Sequence, residues 1–195
     1  VQIQIRQLVN LHTKRLKRMK LSACIQARCP ELEIRQGVAL EKYTTLRVGG
    51  PADYFVEPKT EEEIIGALQA AKDCNMPVLL MGNGSNLLIR DGGFRGLGVR
   101  LGKEFSRIER TEEGLYAQAG ALLSQLAHAA LQAELTGLEF AQGIPGAVGG
   151  GVYMNAGAYG GQMSDVIDYT LAYDRRIGEV YNVGGHNEMA NIDIV

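Results

Sequence analysis

The chain has 195 residues, 46% of them hydrophobic and 22% charged, with a formal net charge of −2. That is the composition of a soluble globular protein long enough to bury a core, as one domain or as two small lobes sharing an interface. Nothing in it has the uninterrupted apolar length of a membrane span or the apolar h-region of a secretory signal. Its three cysteines (Cys24, Cys29, Cys74) are too few for a disulfide framework, so a reducing, cytoplasmic setting is expected. Charge is uneven: residues 1–30 hold seven Lys/Arg and no Asp/Glu. The basic run Lys14 to Lys20 has no interleaved aromatics and no nucleic-acid fold after it. A solvated or frayed helical extension over residues 1–33 is expected there, with neither a nucleic-acid nor a membrane partner.

In chain order, a lead-in from Ile34 ends in the turn signal Gly49-Gly50-Pro51, and Asp53 to Glu57 reads as a strand. Thr60-Glu61-Glu62-Glu63 has the form of a capping box, opening a helix whose apolar residues Ile64, Ile65, Leu68 and Ala71 share one face. Asn75 and Pro77 end it, and Val78 to Met81 reads as a short buried strand. Gly96 to Leu101 is the next strand. Arg107 to Arg110 and Leu115 to Gln118 form a hairpin around Glu112-Glu113-Gly114. Leu122, Leu123, Leu126, Ala127, Ala130 and Leu131 predict an amphipathic helix. Ile144-Pro145-Gly146 is expected to open a short helix toward Met154, with free amides at its start able to face an anion. A last hairpin, Ile167 to Tyr173 with Glu179 to Val183, turns about Arg175 to Gly178. The three histidines stand apart from other potential ligands, so no metal site is expected.

The compositional outlier is glycine. Of 25 glycines, 18 lie between Gly82 and Gly161, against a usual share of about 7%. Two stretches carry them. Gly82-Asn83-Gly84-Ser85-Asn86 directly follows a strand. It lacks the third glycine of a Rossmann fingerprint, where Leu87 stands, and the Gly-Lys-Ser/Thr of a Walker loop. What remains is a run of small residues whose N–H groups can form an anion-binding nest, with Ser85 and Asn86 adding side-chain donors. The second stretch, Gly137 to Gly161, holds nine glycines in 25 residues and one charge, Glu139. It reads either as tight packing between elements or as a backbone surface laid against a large ligand. Together the two loops suggest walls around one elongated, phosphate-containing ligand, a dinucleotide in preference to a mononucleotide.

The motifs G-N-G-S-N-L-L-I-R at 82–90, G-L-E-F-A-Q-G-I-P-G-A-V-G-G at 137–150 and V-Y-M-N-A-G-A-Y-G at 152–160, with T-L-R-V-G-G-P-A-D at 45–53, closely resemble the UDP-N-acetylenolpyruvoylglucosamine reductase family. These are bacterial cell-wall enzymes also called UDP-N-acetylmuramate dehydrogenases, and the resemblance covers about residues 36–181. It implies an α+β, FAD-binding fold of the vanillyl-alcohol-oxidase type. FAD would lie between a lobe at 34–102 and an incomplete lobe at 103–195. The resemblance implies contacts to FAD at Thr45, Arg47, Gly82, Asn83, Gly84, Ser85, Asn86, Leu87 and Gly120. It implies further contacts at Gly143, Ile144, Pro145, Gly146, Ala147, Gly149, Gly150, Tyr153, Asn155, Ala156, Gly157 and Ala158. The 83–86 loop would surround the pyrophosphate, and residues 155–159 would lead toward the flavin ring and substrate.

In complete members of the family NADPH reduces FAD, which then reduces the enolpyruvyl group of a UDP-sugar. This sequence departs from the family after Asn187-Glu188-Met189, where an aromatic-Gly-Tyr-Arg segment is expected and Ala190 to Val195 stands instead. The family's catalytic Arg, Ser and Glu therefore have no match among these residues, and the resemblance implies a carboxyl-terminal truncation lacking the substrate-binding domain. FAD binding is the retained function it implies, with UDP-sugar binding only if that domain is supplied. The alternatives are a non-catalytic flavin-binding fragment or one half of a split enzyme. A different flavin oxidase and a nicotinamide-binding Rossmann protein rank below these.

Overall fold

The computed structural model describes residues 21–174 and 179–184. The basic run at 14–20, the turn at 175–178 and the segment 187–195 lie outside the described residues, as do His12 and His186. A helix over 21–28 (α1) leads into strand β1 (Arg35–Ala39), a 3-10 turn and strand β2 (Pro51–Val56). Helix α2 (Glu61–Asp73), strand β3 (Val78–Met81) and strand β4 (Phe94–Arg100) follow. The sheet order is β1-β2-β4-β3, with β1 antiparallel to β2 and β4 parallel to both β2 and β3.

Both faces of this sheet are covered, which is why β2 reads as a nearly continuous apolar run. Tyr54 and Val56 pack with Leu21, Ile25, Ala67, Ala70, Leu97 and Val99 on one side. Phe55 packs with Leu40, Ala52 and Met81 on the other. Ala52 and Phe55 share a face despite their odd spacing because the pairing register shifts between Ala52 and Tyr54. Helix α1 thus contributes fully buried Leu21 and Ile25 to the core rather than standing off from it. It crosses α2 where Gly66 sits: a Cβ there would lie 2.3 Å from Cys29 Sγ. Burial, and next the Glu63 carboxylate, push the Cys29 thiol above its ordinary pKa.

Helix α2 starts at its expected cap. Thr60 Oγ1 accepts from the Glu63 amide at 3.3 Å, but the return half of the capping box is not made. The Glu63 carboxylate instead accepts from the Lys59 amide at 2.6 Å, one residue outside the expected partner. Thr60→Ala is expected to cost about 1 kcal/mol in urea denaturation, the usual value of one lost N-cap bond. Asn75 ends the helix with φ 49°. The short strand expected at Val78 to Met81 forms, but as the sheet's edge it is buried only at Met81, and Leu80 is half exposed.

A second core forms farther along the chain from strands β5 (Ile108–Arg110) and β6 (Leu115–Ala117), helix α3 (Leu123–Gln132) and helix α4 (Val148–Tyr153). Leu123, Leu126, Ala127 and Ala130 bury one face of α3 against Phe140, Ala141, Val148 and Met163. Leu131, expected on that face, is 71% exposed although it continues the i+4 spacing from Ala127, because it lies in the last turn of the helix, past the buried stretch that ends at Ala130. Two antiparallel pairs close the described chain: β7 (Gly157–Ala158) with β8 (Gly161–Gln162), and β9 (Tyr169–Asp174) with β10 (Glu179–Gly184). Among the described residues no helix is long and apolar enough to cross a membrane.

Candidate functional site

The two glycine stretches meet. The loop after β3 leaves the sheet at the carboxyl end of an edge strand and runs against the segment preceding α4. A Cβ on Gly82 would lie 2.7 Å from Ala147 Cβ, and Asn83 Nδ2 donates to the Pro145 carbonyl at 2.8 Å. Ser85 Oγ lies 3.6 Å from where a Cβ of Gly146 would be. On its other side the 82–86 loop is backed by the turn Tyr43 to Val48. The Thr45 amide donates to Gly84 O at 3.3 Å, and Thr44, buried, spans the turn by donating from Oγ1 to Val48 O at 2.9 Å. Arg47 takes the left-handed conformation inside that turn, at φ 54°, with an exposed side chain.

Between these supports the loop keeps its amides free. The N–H groups of Asn83, Gly84, Ser85 and Asn86 donate to no acceptor among the described residues, although Gly84 itself is buried. Successive unpaired amides on small residues can form a partly positive nest, suited to an anion as elongated as a diphosphate. Leu87, the sixth residue of the motif, turns its side chain into the core under the sheet and is available only through its backbone.

The second wall is built differently from expectation. Helix α4 starts at Val148 with Ala147 as N-cap, not at Pro145. Its first two amides are not free: Val148 donates to Ala121 O at 2.7 Å and Gly149 to Ala119 O at 2.8 Å. Residues 119–121 cross the helix start as an added strand-like contact, Leu122 pairing with Ala147, and they consume the donors that an isolated helix would offer. The donors left to a ligand are the amides of Gly146, Ala147 and Gly150, which pair with nothing among the described residues.

The glycines of this wall divide by what a Cβ would meet. At Gly149 it would lie 2.8 Å from Ala119 Cβ, at Gly151 2.9 Å from Leu123 Cδ1, and at Gly120 2.6 Å from Phe105 O. Those three are required by packing. At Gly143 and Gly150 a Cβ would meet nothing within 4 Å. Packing between elements therefore explains Gly149 and leaves Gly150, its neighbour, open toward the outside.

The remaining expected contacts lie farther along. Tyr153 is half exposed at the end of α4, and Ile144, Ala156 and Ala158 pack on the second core. Asn155, at φ 45°, uses its whole side chain locally: Nδ2 donates to Gln162 Oε1 at 3.0 Å, and Oδ1 accepts from the Ser164 amide at 2.9 Å. A Cβ on Gly157 would lie 2.7 Å from Gly161 O, across the β7–β8 pair. This group is held in register by Asn155. Among the described residues no cluster of three or more His, Cys, Asp or Glu can hold a metal ion.

Tyr43, Ala119 and Ala121 are parts of the candidate site that motif reading passed over. The only local signal was position, Tyr43 immediately preceding Thr44-Thr45 and Ala119 immediately preceding Gly120.

Comparison with known proteins gives a consistent picture. The family model described as an FAD binding domain matches residues 52–184. The UDP-N-acetylenolpyruvoylglucosamine reductase of Clostridium novyi is 46% identical over 142 residues, 73% of this chain and 46% of that protein. The protein of the same name from Agathobacter rectalis is 49% identical over 155 residues, 73% of this chain and 49% of that protein. The crystal structure of the Thermus caldophilus enzyme of this name is 36% identical, with a TM-score of 0.65 over 80% of this chain and 53% of that one. The chain spans about half the length of these relatives. A cholesterol oxidase from Brevibacterium sterolicum, 13% identical with a TM-score of 0.60, shares the fold alone. The architecture is the mixed α+β fold of the vanillyl-alcohol-oxidase FAD-binding proteins.

Proposed function

This chain belongs to the FAD binding domain family and is homologous to the UDP-N-acetylenolpyruvoylglucosamine reductases, and from that premise we propose that its two glycine walls hold FAD. The observation that carries the reading is the pairing of four free amides at Asn83 to Asn86 with the open glycines at 143 and 150. The first suits the FAD diphosphate; the second leaves room for a flat or extended body to lie against main chain. The residues of the chain thus fit the group. Amides of 83–86 would take the diphosphate, with Thr45 and Arg47 at its edge. Gly143, Ile144, Pro145, Gly146, Ala147 and Gly150 would line the wall. Tyr153 and residues 155–158 would continue it, the Asn155 side chain serving to hold that backbone in place. The two cores suggest a division into a lobe at 34–102, joined by α1, and a lobe from 103 onward, with Asn83 and Pro145 tying one to the other.

When bound, FAD supplies reversible two-electron chemistry, and the protein's part is to orient it and exclude competing reactions. For the whole protein we propose the reaction named for its relatives. This is NADPH-dependent reduction of the enolpyruvyl ether of UDP-N-acetylglucosamine to UDP-N-acetylmuramate in cell-wall precursor synthesis, in the cytoplasm. On this reading the described residues would hold the cofactor, and none of them is assigned proton or substrate chemistry. The 195-residue chain is accordingly expected to bind FAD stoichiometrically and, by itself, to show no NADPH-dependent substrate reduction. Flavin fluorescence quenching on titration of the purified chain, with NADPH oxidation followed in parallel, checks both. A folded chain that neither quenches flavin nor copurifies with it would defeat the cofactor assignment.

A further inference from the structure

The turn behind the 82–86 loop is held from its far side by a charged and aromatic cluster to which neither motif nor family assigned a part. Tyr43, the first residue of that turn, stacks on Phe55 with ring centroids 4.6 Å apart and planes at 36°. Phe55 is fully buried, so one face of the Tyr43 ring is anchored in the sheet. The Arg35 and Arg100 guanidinium carbons lie 5.8 and 5.2 Å from the Tyr43 ring centroid. Arg35 Nη1 also donates to Tyr43 Oη at 2.8 Å. Glu57 joins the two cations, accepting from Arg35 Nη2 on one oxygen and from Arg100 Nη1, at 2.6 Å, on the other. Burial works against the charge on Arg35, but the bonds to Glu57 and Tyr43 outweigh it and hold its pKa above the ordinary value.

These residues come from three strands of the sheet or their ends: Arg35 opens β1, Phe55 and Glu57 close β2, and Arg100 ends β4. Their common product is the position of the Tyr43 main chain. The Tyr43 carbonyl presses on the 82–86 loop so closely that a Cβ on Gly84 would lie 2.0 Å from it. Two residues on, the Thr45 amide fixes Gly84 O. Partly exposed ion pairs add little to stability, and an apolar contact would secure the sheet equally well. What a bridged pair of guanidiniums on one ring provides is a single geometry. A loop that must keep four amides unpaired before its ligand arrives needs that, since rigidity in the bound shape lowers the cost of binding.

We propose that Tyr43, clamped by Arg35, Arg100 and Glu57, is a positioning residue that holds the 82–86 loop in its amide-open shape for the FAD diphosphate. This rests on the FAD reading above. It predicts that disturbing the cluster weakens FAD binding out of proportion to its effect on folding.

The test uses the full chain at a temperature well below unfolding. In Tyr43→Leu the ring is lost, and the FAD dissociation constant from flavin fluorescence is expected to rise at least about tenfold. Tyr43→Phe keeps the stacking and both cation contacts, and is expected to stay within about threefold of the parent. Glu57→Gln keeps the shape but removes the shared charge. It is expected to raise the constant by about three- to tenfold, with the flavin-free melting midpoint moved by no more than ~2 °C. If Tyr43→Leu does not fold, Glu57→Gln decides alone. A Tyr43→Leu or Glu57→Gln chain that binds FAD within about twofold of the parent overturns the proposal, whatever its melting midpoint. A parent chain that takes up no flavin defeats the cofactor reading itself, and the positioning claim falls with it.

Discussion

Gly84→Ala is expected to abolish measurable FAD uptake and to destabilise the fold, the largest single effect in the site. Two separate causes add at this position. Gly84 has φ +65°, a left-handed conformation that costs an alanine about 1 kcal/mol or more. The added Cβ would also lie 2.0 Å from the Tyr43 carbonyl oxygen and 3.1 Å from Thr44 Cα. Both are backbone atoms, so no side-chain rotation relieves the contact. Either the turn at 43–48 moves, losing the Thr45 to Gly84 bond and the Thr44 to Val48 bond, or the 82–86 loop moves and displaces its four free amides. A loss of about 3 kcal/mol in denaturant unfolding is expected, in the upper range for single substitutions, with FAD affinity down by at least about a hundredfold. Gly92→Ala is the control. It lies in the same crossover between β3 and β4, its Cβ would meet nothing within 4 Å, and it is expected to behave as the parent. An alanine at 84 that leaves flavin binding intact would mean that the loop is not part of the cofactor site.

The second large effect separates two adjacent glycines. Gly150→Val places its side chain in open space beside an unpaired amide. Its effect on the stability of the flavin-free protein is expected to stay within about 1 kcal/mol, the size of helix-propensity differences. FAD affinity is expected to fall by at least about thirtyfold, because the valine occupies volume that the cofactor would fill and shields a donor that it would use. Gly149→Val behaves oppositely. Its Cβ would lie 2.8 Å from Ala119 Cβ and 3.2 Å from Ala119 O, so the flavin-free protein itself loses about 1–3 kcal/mol through overpacking. Melting curves with and without FAD distinguish them. Gly150→Val melts as the parent does without flavin and gains less from its addition; Gly149→Val melts early in both. If Gly150→Val took up FAD as the parent does, the open face of α4 would not be a ligand wall.

Much of the fold was legible along the chain because its signals are local. The Thr60 cap, the left-handed Asn75 stop and the Glu112 to Gly114 hairpin each depend on residues within a few positions of one another. The helices at 61–73 and 123–132 follow from apolar spacing, and Leu131 shows the limit of that signal: it keeps the spacing yet faces out in the last turn of its helix. The start of α4 was misread for a non-local reason. Pro145 is a good first helical residue in isolation, but the pairing of Gly146 O with the Leu123 amide, beside an extended Ala147, delays the helix to Val148.

By itself the sequence determined two glycine-rich loops suited to one elongated, phosphate-containing ligand, because spacing and composition are properties of the chain alone. The resemblance of its motifs to the UDP-N-acetylenolpyruvoylglucosamine reductases implied FAD and an α+β fold. Only the tertiary structure decided which glycines face packing and which face open space. The direction of a Cβ carries no meaning until the opposing surface is present, and those surfaces come from remote residues: Tyr43 behind Gly84, Ala119 behind Gly149. It alone showed that Asn83 ties the loops together 62 residues apart and that the Asn155 side chain is spent on its own hairpin. It alone gathered Arg35, Tyr43, Glu57 and Arg100 into one cluster. Four strand and loop ends spread over 65 positions become neighbours only when the β1-β2-β4 order of the sheet is set.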